Sequence, residues 1–154
     1  MPIHYLDASA WVKRYLGEEG SQRISAWMNR DPLVASAALG VTEVLTTVVR
    51  KAKAGELSGT ERDRILDDVW AEFGAFAQVY HTAPVMQRAR DVVLRYGLRG
   101  ADTVHLASAL WLKAHPPPEI DSLTMITADR ELGEAAGQAG LKVFDPTQDS
   151  LPAP

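Results

Sequence analysis

Four carboxylates stand out by where they fall in the chain. Asp7 ends the apolar run Ile3-His4-Tyr5-Leu6, Asp102 opens the helical run Thr103-Val104-His105-Leu106-Ala107, and Asp129 follows Thr124-Met125-Ile126-Thr127. Glu43 lies early in the helical stretch after Leu33-Val34-Ala35-Ser36. In a parallel α/β sheet the strand-to-helix junctions lie along one edge, so groups distant in sequence meet there. Carboxylates that meet repel one another unless a cation sits between them. Hard oxygen donors suit Mg2+ or Mn2+. The pattern therefore points to a divalent-metal site and to phosphate chemistry.

Each member has a plainer reading. Asp7, Asp102 and Asp129 all precede predicted helices, and Asp is a favoured N-cap, worth about 1 kcal/mol over Ala. The two roles are compatible, because a helix N-terminus already lies at the ligand-binding edge. Glu43 falls opposite the Val41/Val44/Val48 stripe, so it is not core; periodicity leaves open whether it faces a cleft or water. Histidine offers no rival metal site, because His4, His81, His105 and His115 lack the i, i+4 pairing of a zinc helix. His105 reads as a helix packing or hydrogen-bonding residue. The four tryptophans all fall on predicted helices, where core packing is the default. Neither G-x-x-x-x-G-K-[ST] nor G-x-G-x-x-G occurs, which disfavours a nucleotide switch. Ser9 and Ser36 lack a G-x-S-x-G context, which disfavours a serine hydrolase.

The elements that must position these groups are short. Strands are predicted at 3–6, 33–36, 78–81, 123–127 and 142–144. Helices are predicted at 8–16, 21–29, from about 41 to 55, 58–76, 85–96, 102–114 and 130–139. Val41, Val44, Leu45, Val48 and Val49 follow the i, i+3, i+4, i+7, i+8 spacing of an amphipathic helix. Ser58-Gly59-Thr60-Glu61 has the form of a helix cap, Gly97 reads as a helix stop, and Pro116-Pro117-Pro118 ends the helix before it. Leu98-Arg99-Gly100-Ala101 reads as a turn. Short apolar strands alternating with helices indicate an α/β fold with a mostly parallel sheet covered on both faces.

A chain of 154 residues with 46% hydrophobic and 23% charged residues suits one globular domain that buries a full core. We expect a single domain over 1–145 and a flexible tail over 146–154, rich in Pro, Asp and Ser. There is no cysteine, so disulfides and thiolate zinc sites are excluded. No signal peptide or membrane span is apparent, and a cytoplasmic location is expected. The net charge of −4 argues against sequence-blind nucleic-acid binding but leaves room for a local basic rim. Lys13, Arg14, Arg50, Lys51, Lys53, Arg88, Arg90, Arg95 and Arg99 are candidates for it.

Four segments, in order, resemble the motifs of the PIN domain, a small metal-dependent ribonuclease fold. Tyr5-Leu6-Asp7-Ala8-Ser9-Ala10 resembles its opening and Val41-Thr42-Glu43-Val44-Leu45 its second motif. Leu98 to Ala107 resembles a D-x-x-H-L-A third motif, and Thr127-Ala128-Asp129-Arg130-Glu131-Leu132 a T-x-D-x-x-[LF] fourth. The resemblance spans almost the whole chain and is strongest to the stand-alone VapC toxins. Thr103 departs mildly, standing where Ala is common.

The resemblance implies a three-layer α/β/α sandwich around a sheet of about five strands. It implies that Asp7, Glu43, Asp102 and Asp129 form a catalytic quartet around one or two Mg2+ or Mn2+ ions, with Asp7 and Asp102 the firmest ligands. Ser9 and Thr127 would support the site with hydroxyls. It further implies an endoribonuclease acting on RNA, often tRNA or rRNA, that forms a homodimer and is bound by a VapB-like antitoxin. Trp11, Tyr15 and Trp27 are candidate antitoxin contacts. Alternative readings are a PIN nuclease of RNA processing, a catalytically silent PIN-like binding module, and a phosphatase or phosphotransfer receiver on another α/β fold.

Overall fold

The computed structural model describes all residues, Met1–Pro154. Five strands form one sheet in the order β3-β2-β1-β4-β5: β1 (Pro2–Leu6), β2 (Val34–Ala37), β3 (Ala77–Val79), β4 (Ser122–Ile126) and β5 (Lys142–Phe144). Every neighbouring pair is parallel. The chain lays β2 and β3 on one side of β1, then crosses to lay β4 and β5 on the other. The switch between β1 and β4 is where such a sheet opens a crevice at its carboxyl edge.

Alternation along β1 explains the two cores. Ile3 and Tyr5 join one buried cluster, with Ala35, Ala37 and Met125 from the sheet and Val85, Val92, Leu106 and Leu132 from covering helices. Leu6 joins the other, with Val34 and Ile126 from the sheet and Trp11, Ile24, Val44, Val69 and Phe73 from helices. One layer comprises α5 (Ala83–Tyr96), α6 (Gly100–Ala114) and α7 (Arg130–Gln138). The opposite layer comprises α1 (Ala8–Trp11), α2 (Ser21–Met28), α3 (Ala38–Lys53) and α4 (Gly59–Ala75). The result is a three-layer α/β/α sandwich. Burying a side chain such as Leu6 or Ile126 stabilises it by roughly 1.5–3 kcal/mol each.

Several local expectations hold and several shift. Ser58 caps α4 through a full capping box with Glu61. Gly97 ends α5 with φ 63°, a conformation a Cβ disfavours. The first helix is shorter than predicted, tightening into a 3-10 turn at Val12–Arg14. The predicted turn at Leu98–Ala101 is only half present, because Gly100 and Ala101 already belong to α6. Trp11 and Trp27 are buried, but Trp70 is 63% exposed and does not join the core stripe of α4. After β5 no further helix or strand forms. The closing residues lie against α2, where Trp27 Nε1 donates to the Pro152 carbonyl and Arg23 to that of Pro146. No helix is long and apolar enough to cross a membrane.

Candidate active site

The β1–β4 register pairs Leu6 with Ile126, so the next residues, Asp7 and Thr127, emerge side by side. Asp7 is 3% exposed and caps α1, accepting the Ala10 N–H at 3.1 Å. Ser9 Oγ lies 2.8 Å from both Asp7 carboxylate oxygens, and Thr127 Oγ1 donates to Oδ2 at 2.9 Å. Burial pushes the Asp7 carboxyl above its ordinary range, partly offset by His105 and by these hydrogen bonds. A buried acid so solvated by hydroxyls is prepared to carry charge at a cost.

Asp129 is tied to the same point. Its N–H donates to Thr127 Oγ1 at 3.0 Å, and its Oδ1 caps α7 by accepting the Leu132 N–H at 2.8 Å. Ser9 Oγ also receives the Ala128 N–H at 2.9 Å, closing a small network of two loops. Ser9 and Thr127 thus fall where hydroxyl support was expected.

Asp102 is placed differently from the expectation. It is not an N-cap; Arg99 holds that position, and Asp102 lies in the first turn of α6. Burial, then the charges of Asp129 and Asp7, push its pKa up to about 6, against weaker pull from His105 and Arg99. That mutual repulsion places Asp102 within electrostatic reach of the other two. Thr103, the departure from the motif, is buried and donates to the Leu98 carbonyl at 3.2 Å, which fixes the start of α6.

Glu43 is half-buried and paired with a side chain of α6. Its Oε2 lies 2.5 Å from Nε2 of His105, one turn beyond Asp102 on α6 and itself only 1% exposed. His105 Nδ1 lies 3.0 Å from the Tyr5 hydroxyl. The structure therefore links α3 to α6 at the same edge as Asp7. Tyr5 was read only as part of the opening strand and motif, and Gly40, where an added Cβ would crowd His105, was not singled out.

No three His, Cys, Asp or Glu side chains stand close enough to form a compact ligand cage. Mg2+ does not require one, since it is held by one or two carboxylates with waters and substrate phosphate completing its octahedron. The all-oxygen donors, and the unfavourable burial of Asp7 and Asp102, fit such a cation. Among the expected rim residues, Arg99 acts on Asp102, whereas Lys13 pairs with Glu18 at 2.9 Å and Arg14 with Glu72 at 3.4 Å inside the fold. Trp11 and Tyr15 also bond Glu72, so Trp11 and Trp27 are core rather than contact surface.

A sheet in this order with acidic groups at its switch point defines the class: residues 4–138 match the PIN domain family, and the chain belongs to it. Two curated relatives are ribonucleases VapC45 and VapC49 from strains of Mycobacterium tuberculosis. Each is 37% identical over 146 residues, covering 93% of this chain and 95% of the relative. A solved toxin–antitoxin complex from Klebsiella pneumoniae shares the fold, with TM-score 0.62 and 17% identity, covering 93% of this chain and 97% of that one.

Proposed function

We propose that this chain is a divalent-metal-dependent endoribonuclease and the toxin of a toxin–antitoxin pair. The observation that supports it most is the tie between Asp7 and Asp129 at the β1–β4 switch of a PIN-family sheet, where the Thr127 hydroxyl donates to Asp7 at 2.9 Å and accepts the Asp129 N–H at 3.0 Å. Asp7 and Asp102 are assigned as principal ligands of Mg2+ or Mn2+, with Glu43 and Asp129 completing the site. Such a cation neutralises phosphate charge and makes hydroxide available near neutral pH. The protein's own part is to hold Asp7 rigid through Ser9, Thr127 and Ala10, and Asp129 through its cap. A carboxylate of the quartet would orient the attacking water and take its proton as the water oxygen bonds to phosphorus and the bond to the ribose oxygen breaks, and that oxygen leaves as a hydroxyl after taking a proton from solvent. Because water attacks, the ribose 2′-OH is not consumed, and preference for RNA rests on the shape and stacking of a looped or single-stranded target.

The antitoxin partner is proposed from the likeness to VapC relatives and to toxin–antitoxin complexes. A cytoplasmic setting, a tRNA or rRNA target and a homodimer belong to the same proposal, as does a single functional unit over 1–145. The test is sequencing of RNA ends after induction in bacteria. Discrete new ends are expected with the natural chain and none with Asp7→Asn or Asp102→Asn, each retaining the native circular dichroism spectrum. Unchanged cleavage by purified Asp7→Asn would refute its role.

A further inference from the structure

Behind Glu43 runs a chain of hydrogen bonds that the motifs do not explain. It starts at the Ala37 backbone N–H, which donates to the Tyr5 hydroxyl at 3.1 Å. The Tyr5 oxygen lies 3.0 Å from His105 Nδ1, and His105 Nε2 lies 2.5 Å from Glu43 Oε2. Tyr5 and His105 are both buried, so water is not an alternative partner for either. A carboxylate oxygen only accepts, so Nε2 carries a proton. With the phenol oxygen accepting from Ala37, a Tyr5 proton given to Nδ1 would hold the ring as the Nε2–H tautomer. The ring is also held by shape: a Cβ on Gly40 would lie 3.2 Å from His105 Cε1 and 2.8 Å from Ser36 Oγ. The Ser36 contact leaves a Cβ no room, and the imidazole would have to give as well.

From this geometry we infer that His105, oriented by Tyr5, is a positioning residue that sets the direction of the Glu43 carboxylate at the acidic edge. The inference rests on the proposed membership of Glu43 in the metal site. A glutamate side chain has several rotatable bonds, and one that is partly exposed samples many rotamers unless something fixes it. The Nε2–H bond fixes one oxygen and removes that ordering cost from each binding event. Outer partners of this kind tune metal affinity by roughly 10–100-fold. His105 touches neither substrate nor cation in this arrangement; it acts through Glu43.

The test measures Mn2+ binding by the intact protein, from the electron paramagnetic resonance signal of the free ion. His105→Ala and Glu43→Gln are each expected to weaken binding about tenfold. The double variant is expected to bind no more weakly than Glu43→Gln alone, because both changes act through one carboxylate. His105→Gln presents an amide N–H near the position of Nε2 and recovers most of the affinity, and it keeps the test open should His105→Ala fail to fold. Nitrogen-15 spectra of the ring show the Nε2–H tautomer in the natural chain and a mixture in Tyr5→Phe. Natural affinity in His105→Ala, losses that multiply with Glu43→Gln, or no rescue by His105→Gln would each overturn the inference while leaving the site's reading intact. Natural affinity in Glu43→Gln would instead overturn the metal role of Glu43, and the inference with it.

Discussion

Asp102 is the residue where electrostatics and function oppose each other most openly. Its ordinary value is 3.8 and its folded value is about 6, so between those limits the folded protein binds more protons than the unfolded chain. Stability tied to this group is fully present below about pH 4 and is lost as pH rises through about 6. Asp102 is partly exposed, so solvent screening reduces the effect to about 1 kcal/mol. Metal-free protein is therefore expected to melt lower at pH 7 than at pH 5, and Asp102→Asn to raise the melting temperature at pH 7 by roughly 2–4 °C while abolishing cleavage. Calorimetry with and without Mg2+ checks both; the ion is expected to flatten the pH dependence. Asp7 and Asp129 were legible as caps at strand ends, and the structure shows both capping the helices that follow. Sequence reasoning misplaced Asp102 by treating Gly100 and Ala101 as turn, since glycine before a helix resembles a stop. It left Glu43 undecided because a helical wheel separates core from non-core, not cleft from solvent.

Elements set where those acids stand. Register between β1 and β4 places Asp7 beside Thr127, and α6 carries Asp102 and His105 one turn apart. Most of this was legible: strand ends shifted by a residue or so, and the α4 cap was read from Ser58 and Glu61. The meeting of α3 and α6 was not, because helix-on-helix contact depends on packing that periodicity does not encode. Gly40 is the hinge of that contact. Gly40→Val is expected to push α3 from His105 and lower cleavage strongly, whereas Ser58→Ala, which loses a cap worth about 1 kcal/mol, should lower stability alone. Paired activity and melting measurements separate the two; equal activity in both variants would contradict the account.

At the scale of the whole molecule, the question is which surfaces remain for partners. Trp11 and Trp27, candidate partner contacts for which core packing was the default, are buried in the core. Apolar exposure lies elsewhere. Trp70 borders a groove of about 610 Å3 with Leu45, Val49, Leu66, Arg50 and Lys53 between α3 and α4. Leu94, 71% exposed, stands with Met86 and Val93 on α5. If the proposed homodimer forms through α5, Leu94→Arg is expected to halve the sedimenting mass; an unchanged dimer would move the interface elsewhere. Core packing is the default for a helical tryptophan, and Trp70 departs from it.

The proposed function stands on Asp7, Glu43, Asp102 and Asp129 holding one cation between them. Crystals soaked in Mn2+ and measured at the manganese absorption edge test it most directly. The account predicts an anomalous peak among Asp7, Glu43, Asp102 and Asp129 that vanishes in Asp7→Asn. A peak elsewhere on the molecule, or none at saturating Mn2+, would contradict it.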